Sequence, residues 1–199
     1  MFPSLKMSFL LGFVFLMLSC AQSGQRVEQS EQTDQNKAEQ EKMRRSMLFG
    51  LIADSRIETL SAFAVANDYS DLFGKDSGPL LLFAPTNEAF EKVDSVTLRS
   101  WRDQKNGMMK RLIGNHIVKV DQLSDDLSIY LDQNLTALNG STLKIIQEQQ
   151  TFYLEDVKGN RALIGPNPLR MDNGDIYYLD EVLYWIQPGS WVLIGCPDQ

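Results

Sequence analysis

The sequence has little of the chemistry on which most enzymes and metal proteins depend. Its 199 residues include one histidine and two cysteines. These counts exclude metal sites with several histidine ligands, four-cysteine zinc sites and disulfide-dense scaffolds. Basic residues are also few, since 19 Lys and Arg stand against 26 Asp and Glu and leave a formal net charge of −7. Phosphate contacts need a concentrated basic face, and because the sequence shows none, we expect no nucleic-acid partner.

Catalytic motifs are missing as well. The sequence contains no GxSxG, HExxH or CxxC string and no glycine-rich phosphate loop. A Ser–His–Asp arrangement would have to use His116, and carboxylate pairs such as Asp125–Asp126 lie in polar loop sequence. We therefore expect no enzyme activity, no catalytic residue, no metal site and no cofactor.

The apolar content is sufficient for a folded domain. Hydrophobic residues make up 43% of the chain, which is too many for a disordered protein. The length allows one ordinary domain with appendages, or two small domains.

Residues 1–20 have the pattern of an export signal. Lys6 and the free amine form a short positive start, and Met7–Leu18 is an apolar run. The run is shorter than the ~20 apolar residues that span a bilayer and matches the length of about 7–15 residues found in signal peptides. Ser19–Cys20 completes a pattern that resembles a bacterial lipoprotein signal, in which a small residue precedes a lipid-modified cysteine.

This pattern predicts lipidation at Cys20. It would give an exported protein that is lipid-anchored to the bacterial cell envelope, at the outer membrane or the periplasmic face. Ordinary cleavage after Ala21 is the alternative and would give a secreted protein. Residues 21–45 are polar and rich in Gln and Glu, so we predict a disordered tether. The other interpretation of this run is an N-terminal remnant without a role.

The composition changes near Met47, and from there helices precede strands. Apolar spacing and the Ser55–Glu58 capping-box pattern predict helical segments; they cover 47–52, 57–64, 88–93, 96–102 and 104–115. Short β-rich runs between Gly and Asn turns predict strands; they cover 80–84, 117–120, 135–138, 142–146, 151–154, 161–164 and 176–185. This order is typical of an α+β fold with a largely antiparallel sheet.

Four strings in register resemble signatures of the fasciclin (FAS1) domain family. They are Phe83–Phe90 (FAPTNEAF), Leu112–Val118, Thr136–Leu143 and Asn173–Leu183. The resemblance covers residues 46–187, the length of one fasciclin unit, and leaves 188–199 as a C-terminal extension. It implies a single α+β domain in which antiparallel β-sheets form a wedge or sandwich with helices packed on one side.

The signature residues are expected to hold this fold together. They are Phe83, Pro85, Thr86, Phe90, Asn173, Gly174 and Asp180. We expect Thr86 to cap the helix that follows it. Asp180 lies in an apolar strand, so we expect it to be buried and to accept hydrogen bonds from backbone amides or from a hydroxyl such as that of Thr86.

Three positions depart from the family pattern. Tyr177 stands where the second signature usually has His, and Trp185 stands where it closes with Pro. Animal members often show Tyr-His in the central segment, a pair associated with cell adhesion, but this chain has Asn115–His116. We therefore do not carry that adhesion role over, and we expect His116 to be a hydrogen-bonded structural histidine, with a ligand contact as the alternative.

The resemblance implies an interaction or adhesion module that binds a protein or glycan at the cell envelope. A small-ligand carrier and a purely structural envelope protein are the alternatives, and a deep apolar pocket would favour the carrier. The candidate interaction residues are Asn115, His116, Tyr177, Trp185 and Trp191. The apolar stretch 185–194 is either an exposed patch or an added strand, and Cys196 is expected to be an ordinary buried thiol.

Overall fold

The computed structural model describes residues 37–74, 77–102 and 107–184. The chain divides into two compact units, Met1–Lys42 and Met43–Gln199. Residues 37–42 of the first unit are helical, where the sequence predicts part of a disordered tether. The predicted signal peptide with Cys20, residues 21–36, and the tail with Trp185, Trp191 and Cys196 lie outside the described residues. All further description concerns the second unit.

The helices precede most of the sheet in the chain, as predicted. The α-helices are α1 (Met47–Ala53), α2 (Glu58–Ala66), α3 (Asn87–Glu91), α4 (Ser95–Arg102) and α5 (Met108–Asn115). Short 3₁₀ helices cover Ser55–Ile57 and Leu127–Tyr130.

The strands form one mixed sheet. They are β1 (Leu80–Pro85), β2 (Ile117–Lys119), β3 (Leu135–Thr136), β4 (Thr142–Glu148), β5 (Thr151–Asp156), β6 (Arg161–Ile164), β7 (Leu169–Met171) and β8 (Gly174–Leu179). Their order is β2-β1-β8-β6-β5-β4-β3, with β7 paired to β8 outside this path. β1 and β8 run parallel, and the other pairs are antiparallel. A bridge between Val118 and Ala137 brings the two ends of the sheet together.

The two central strands explain how this sheet is covered. Every residue of β1 and of β8 is buried. Because side chains alternate along a strand, Leu82 faces a cluster formed with the helices while Phe83 faces a second cluster inside the curled sheet. The helix-side cluster includes Trp101 and Ile113, and the sheet-side cluster includes Ile145. A sheet buried on both faces requires continuous apolar strands, which is why β1 is recognisable in the sequence.

The predicted fold class is confirmed, with differences in detail. The β-structure is one continuous sheet, not two separate ones. The predicted capping box is wrong, because Asp54 accepts the Arg56 amide and starts the 3₁₀ helix, while α2 begins at Glu58. The last strand ends at Leu179 instead of continuing to residue 185, and the sequence did not predict β7.

Candidate functional site

The first signature string folds into a strand, a turn and a helix. β1 ends at Pro85, and the Thr86 hydroxyl accepts the Ala89 amide at 3.3 Å, which caps α3 as predicted. Phe83 stacks on Tyr177 with 5.7 Å between ring centroids, and Phe90 meets Phe63 edge-on at 5.8 Å. Phe83 and Phe90 are 0% and 3% exposed, and they belong to different core clusters. The string therefore joins the two halves of the core.

A polar cluster that the sequence did not predict fixes the segment before α2. The Asp54 carboxylate accepts from the Arg56 guanidinium at 2.7 and 2.9 Å and from the Tyr178 hydroxyl at 2.5 Å. Arg56 also lies over the Tyr178 ring, 3.9 Å from its centroid. The bonds from Arg56 lower the pKa of Asp54 to about 2, and burial followed by the Asp54 hydrogen bond raises the pKa of Tyr178. Asp54 is therefore a carboxylate and Tyr178 a neutral donor at ordinary pH.

Asn87 of the first signature holds the same segment from the other side. Its side chain accepts the Thr59 amide at 3.0 Å and donates to the Ser55 carbonyl at 2.7 Å. The signature asparagine thus ties the start of α2 to α3.

The second signature packs β8 against the helices without spare room. The Asn173 side chain accepts the Met47 amide at 2.7 Å and donates to the Gly74 carbonyl at 2.6 Å. A Cβ on Gly174 would lie 2.1 Å from Met47 Cε and 2.5 Å from the Leu80 carbonyl oxygen. Only glycine fits at this position.

Asp180 corrects one of the sequence predictions. It is exposed just after β8, not buried in a strand, and its carboxylate accepts the Leu163 amide at 2.7 Å. The predicted bond to a backbone amide is therefore present, and the Thr86 hydroxyl serves α3 instead. Lys92 donates to the Asp180 carbonyl at 2.8 Å.

The buried carboxylate of this region is Asp175, which the sequence did not single out. Its side chain is 3% exposed and pairs with the Arg170 guanidinium. Arg170 also donates to the carbonyls of Ser124 and Asp125 at 3.0 and 2.9 Å and to the Tyr177 hydroxyl at 3.2 Å. Burial raises the pKa of Asp175 above its ordinary value. The positive charge of Arg170 offsets only part of this increase. The available sequence signal was an Arg and an Asp five residues apart, on either side of the Asn173–Gly174 pair of the second signature.

The candidate interaction residues Asn115, His116 and Tyr177 all lie in the interior. They are 2%, 1% and 2% exposed. Asn115 donates to the Leu183 carbonyl at 3.0 Å and accepts from Asn139 and Ser141. Because an approaching macromolecule does not reach these side chains, they are parts of the fold and not of a surface; Trp185 and Trp191 lie outside the described residues.

His116 is hydrogen-bonded on one side of its ring only. Its Nδ1 lies 2.8 Å from the Leu112 carbonyl oxygen, so this nitrogen carries the proton. Nε2 is buried and has no partner within the described structure. Burial lowers the His116 pKa to about 4, which keeps the ring neutral.

An open groove lies between α1 and β7. It has a volume of about 420 Å³, and its walls include Phe49, Ala53, Leu169 and Met171, with Arg44 and Asp54 also lining it. Phe49 is 43% exposed, and Met43 and Ile52 of the same region are each 58% exposed. The groove and these exposed side chains together form one apolar surface. The groove is too open to enclose a small ligand.

The described residues contain no group of His, Cys, Asp and Glu arranged to hold a metal ion. Within the same residues, no helix is both long and apolar enough to cross a membrane.

Comparisons with known proteins agree with the fold. The model of the family described as "Fasciclin domain" matches residues 55–185, and the chain therefore belongs to the fasciclin domain family. Transforming growth factor-beta-induced protein ig-h3 of Sus scrofa is 28% identical over 65% of this chain and 18% of its own length. Human periostin is 29% identical over 66% of this chain and 15% of its own length.

The chain thus spans less than a fifth of the length of these curated relatives. A solved structure titled as a FAS1 domain pair from the insect cell adhesion molecule Fasciclin I superposes with a TM-score of 0.59. It is 14% identical, and the match covers 70% of this chain and 51% of the other. This similarity shows the fold.

Proposed function

We propose that this chain is an exported, non-enzymatic interaction module that binds a protein or glycan at the cell envelope. The observation that carries the proposal is the fasciclin family match over residues 55–185. Fasciclin domains occur in an insect cell adhesion molecule, whose domain pair shares this fold. Signature residues such as Phe83 and Asn173 lie in the interior, so a binding surface would be formed by other residues.

The exposed apolar surface around α1 favours an interaction module over a purely structural protein. Phe49 and Ile52 lie exposed beside the groove, and exposed apolar patches rimmed by polar groups typically mark contact sites. A small-ligand carrier would enclose most of its ligand. The groove is open to solvent along α1, which favours contact with a partner over storage of a small molecule.

Photo-crosslinking on intact cells tests the proposal. A photoreactive amino acid replaces Ile52, which is 58% exposed beside the groove, or Val157, which is 57% exposed in the turn between β5 and β6. We expect Ile52 to yield a discrete crosslinked species that mass spectrometry identifies, and Val157 to yield only weak, heterogeneous products. The same nonspecific neighbours from both positions would contradict the proposal.

We further propose that a lipid on Cys20 tethers the module to the envelope. The supporting observation is the Ser19–Cys20 pattern after an apolar run of signal-peptide length. The test is a Cys20→Ser variant, with Cys196→Ser as the matched control. We expect Cys20→Ser alone to lose fatty-acid labelling and membrane retention; unchanged retention in that variant would exclude the tether.

A further inference from the structure

Positive charge is unevenly distributed in this acidic chain. Residues 95–119 hold six of its 19 Lys and Arg and a single Asp. In the structure, Arg99 and Arg102 lie on α4, and Lys110 and Arg111 lie on α5. All four are exposed. The helix pair therefore carries a basic face that the overall charge of −7 conceals in the sequence.

The cations of this face have no carboxylate partner within the described structure. Four other arginines, Arg45, Arg56, Arg161 and Arg170, each form an ion pair within the domain. No such pair involves any of the four cations on α4 and α5 among the described residues. Within the described residues, no ion pair therefore neutralises their charge.

The four cations lie on two helices that pack against each other. α4 packs against α5, and each contributes apolar residues to the helix-side cluster. Arg99 and Arg102 are one helical turn apart, so their Cβ atoms lie about 5–6 Å from each other. The Arg102 guanidinium lies 5.7 Å from the Phe63 ring centroid, against α2. On α5 the core takes Met109, Leu112 and Ile113, so Lys110 and Arg111 point away from it.

We propose that this basic face is a second contact surface, formed by elements other than those of the groove, and that it binds an acidic polysaccharide. A membrane-binding helix presents a broad apolar face, and a protein interface needs buried apolar anchors. α4 offers neither, since Trp101 is 1% exposed and Leu98 packs on the core, which leaves Val96 as its large exposed apolar side chain. Separate cations on a hydrated surface can pair with the recurring carboxylates or sulfates of an acidic polysaccharide.

An exposed aromatic ring in contact with α4 adds a second feature of a sugar site. Tyr184 is 43% exposed and stands edge-on to Trp101, with 5.0 Å between the ring centroids. Trp101 directly precedes Arg102 on α4. In the proposed complex, the C–H face of a pyranose ring packs on Tyr184 and the carboxylates of the sugar chain pair with the cations of α4 and α5.

Binding of the full chain to polygalacturonate tests the proposal, with dextran as the neutral polysaccharide. The test variant carries Arg99→Gln, Lys110→Gln and Arg111→Gln and retains Arg102, which packs on Phe63. The matched control removes the same charge from exposed residues outside α4, α5 and the groove, for which the described structure shows no ion pair, through Lys37→Gln, Lys144→Gln and Lys158→Gln. We expect the test variant to bind about tenfold more weakly or worse and to lose about two units of the slope of log affinity against log salt. The control variant is expected to keep most of the affinity.

Three outcomes would overturn the proposal. They are absence of polygalacturonate binding, equal losses in the two variants, and binding of the wild-type chain to phosphatidylglycerol-containing vesicles in preference to the polysaccharide. A chain that fails here but still crosslinks one partner through Ile52 would retain the proposed function and lose only this partner class. Tyr184→Ala supplies a further check, since it should weaken polysaccharide binding without changing the salt slope.

Discussion

His116 shows how a single residue can report on the core through pH. Its Nδ1 donates to the Leu112 carbonyl, its Nε2 has no partner in the described structure, and burial lowers its pKa to about 4. In the unfolded chain the ring titrates near its ordinary pKa of about 6.5. The folded state therefore binds fewer protons than the unfolded state between these two values, and acidification destabilises it there.

We predict a loss of about 2–3 kcal/mol of unfolding free energy between pH 7.5 and pH 4.5 from this histidine. Urea unfolding at the two pH values measures it, with His116→Gln as the control that should lose this component. Asp54 contributes only at lower pH, since its pKa falls from 3.8 to about 2. Asp175, whose pKa is raised by burial, acts in the opposite direction. Equal pH dependence in wild type and His116→Gln would show that the ring is not held neutral.

Gly174 gives a second prediction at the residue scale. An added methyl group would meet the flexible end of Met47 and also the Leu80 carbonyl oxygen, which the β1–β8 pairing holds in place. We expect Gly174→Ala to lower the free energy of unfolding by about 3 kcal/mol. Gly165→Ala is the matched control, because its new Cβ would have neighbours at ordinary contact distances of 3.5 and 3.6 Å. Chemical denaturation of both variants should show a clear loss in Gly174→Ala alone.

At the scale of elements, β7 is the strand whose position depends most on a polar contact. It has three residues, pairs with β8 alone, and is joined to the loop before Leu127 through Arg170. Removal of the Arg170 guanidinium would leave the Asp175 carboxylate buried without a cation. A buried charge that loses its partner destabilises a protein more than the pair stabilised it.

We predict that Arg170→Leu costs about 2–4 kcal/mol at neutral pH. The Arg170→Leu, Asp175→Asn double variant should recover part of this loss, with a coupling energy of about 1–3 kcal/mol in a double-mutant cycle. The loss in Arg170→Leu should also shrink on mild acidification, since the buried carboxyl can then take up a proton. Strict additivity of the two substitutions would contradict the role assigned to this pair.

The elements differ in how far the sequence determined them. β6 was predicted with its observed bounds, because its apolar residues alternate between two turns. β7 was missed because three residues after Pro168 show no periodicity and depend on pairing with β8. β8 was predicted too long, since its apolar pattern continues into Val182 and Leu183, which are buried without strand pairing. Buried apolar sequence thus indicated the core correctly but did not determine where hydrogen bonding stops.

The candidate surface was harder to predict than the fold for a different reason. Sequence signatures drew attention to Asn115, His116 and Tyr177, which are conspicuous because the core constrains them. The four cations of α4 and α5 belong to no signature and stand out only when the structure shows that four other arginines are paired. Ion pairing depends on the three-dimensional positions of the side chains, so the net charge of a sequence does not show which cations are paired.

At the scale of the whole domain, one sheet joins both core clusters. β1 and β8 contribute alternate side chains to the helix-side and sheet-side clusters, so the two clusters share both central strands. The Asn87 and Asn173 side chains accept backbone amides at the starts of α2 and α1 and donate to the Ser55 and Gly74 carbonyls. Such sharing predicts that the two clusters unfold in one cooperative transition.

Matched cavities on the two sides of the sheet test this cooperativity. Ile145→Ala opens the sheet-side cluster and Ile113→Ala the helix-side cluster, and both residues are 0% exposed. Each substitution should cost about 2–5 kcal/mol. In a background with Trp185→Phe and Trp191→Phe, the fluorescence of Trp101 reports the helix side, while circular dichroism reports the whole domain. Because Ile145 and Trp101 lie on opposite faces of the sheet, Ile145→Ala should shift the fluorescence midpoint and the dichroism midpoint by the same amount. A fluorescence midpoint that stays at the wild-type value would show that the helix side folds independently of the sheet-side core.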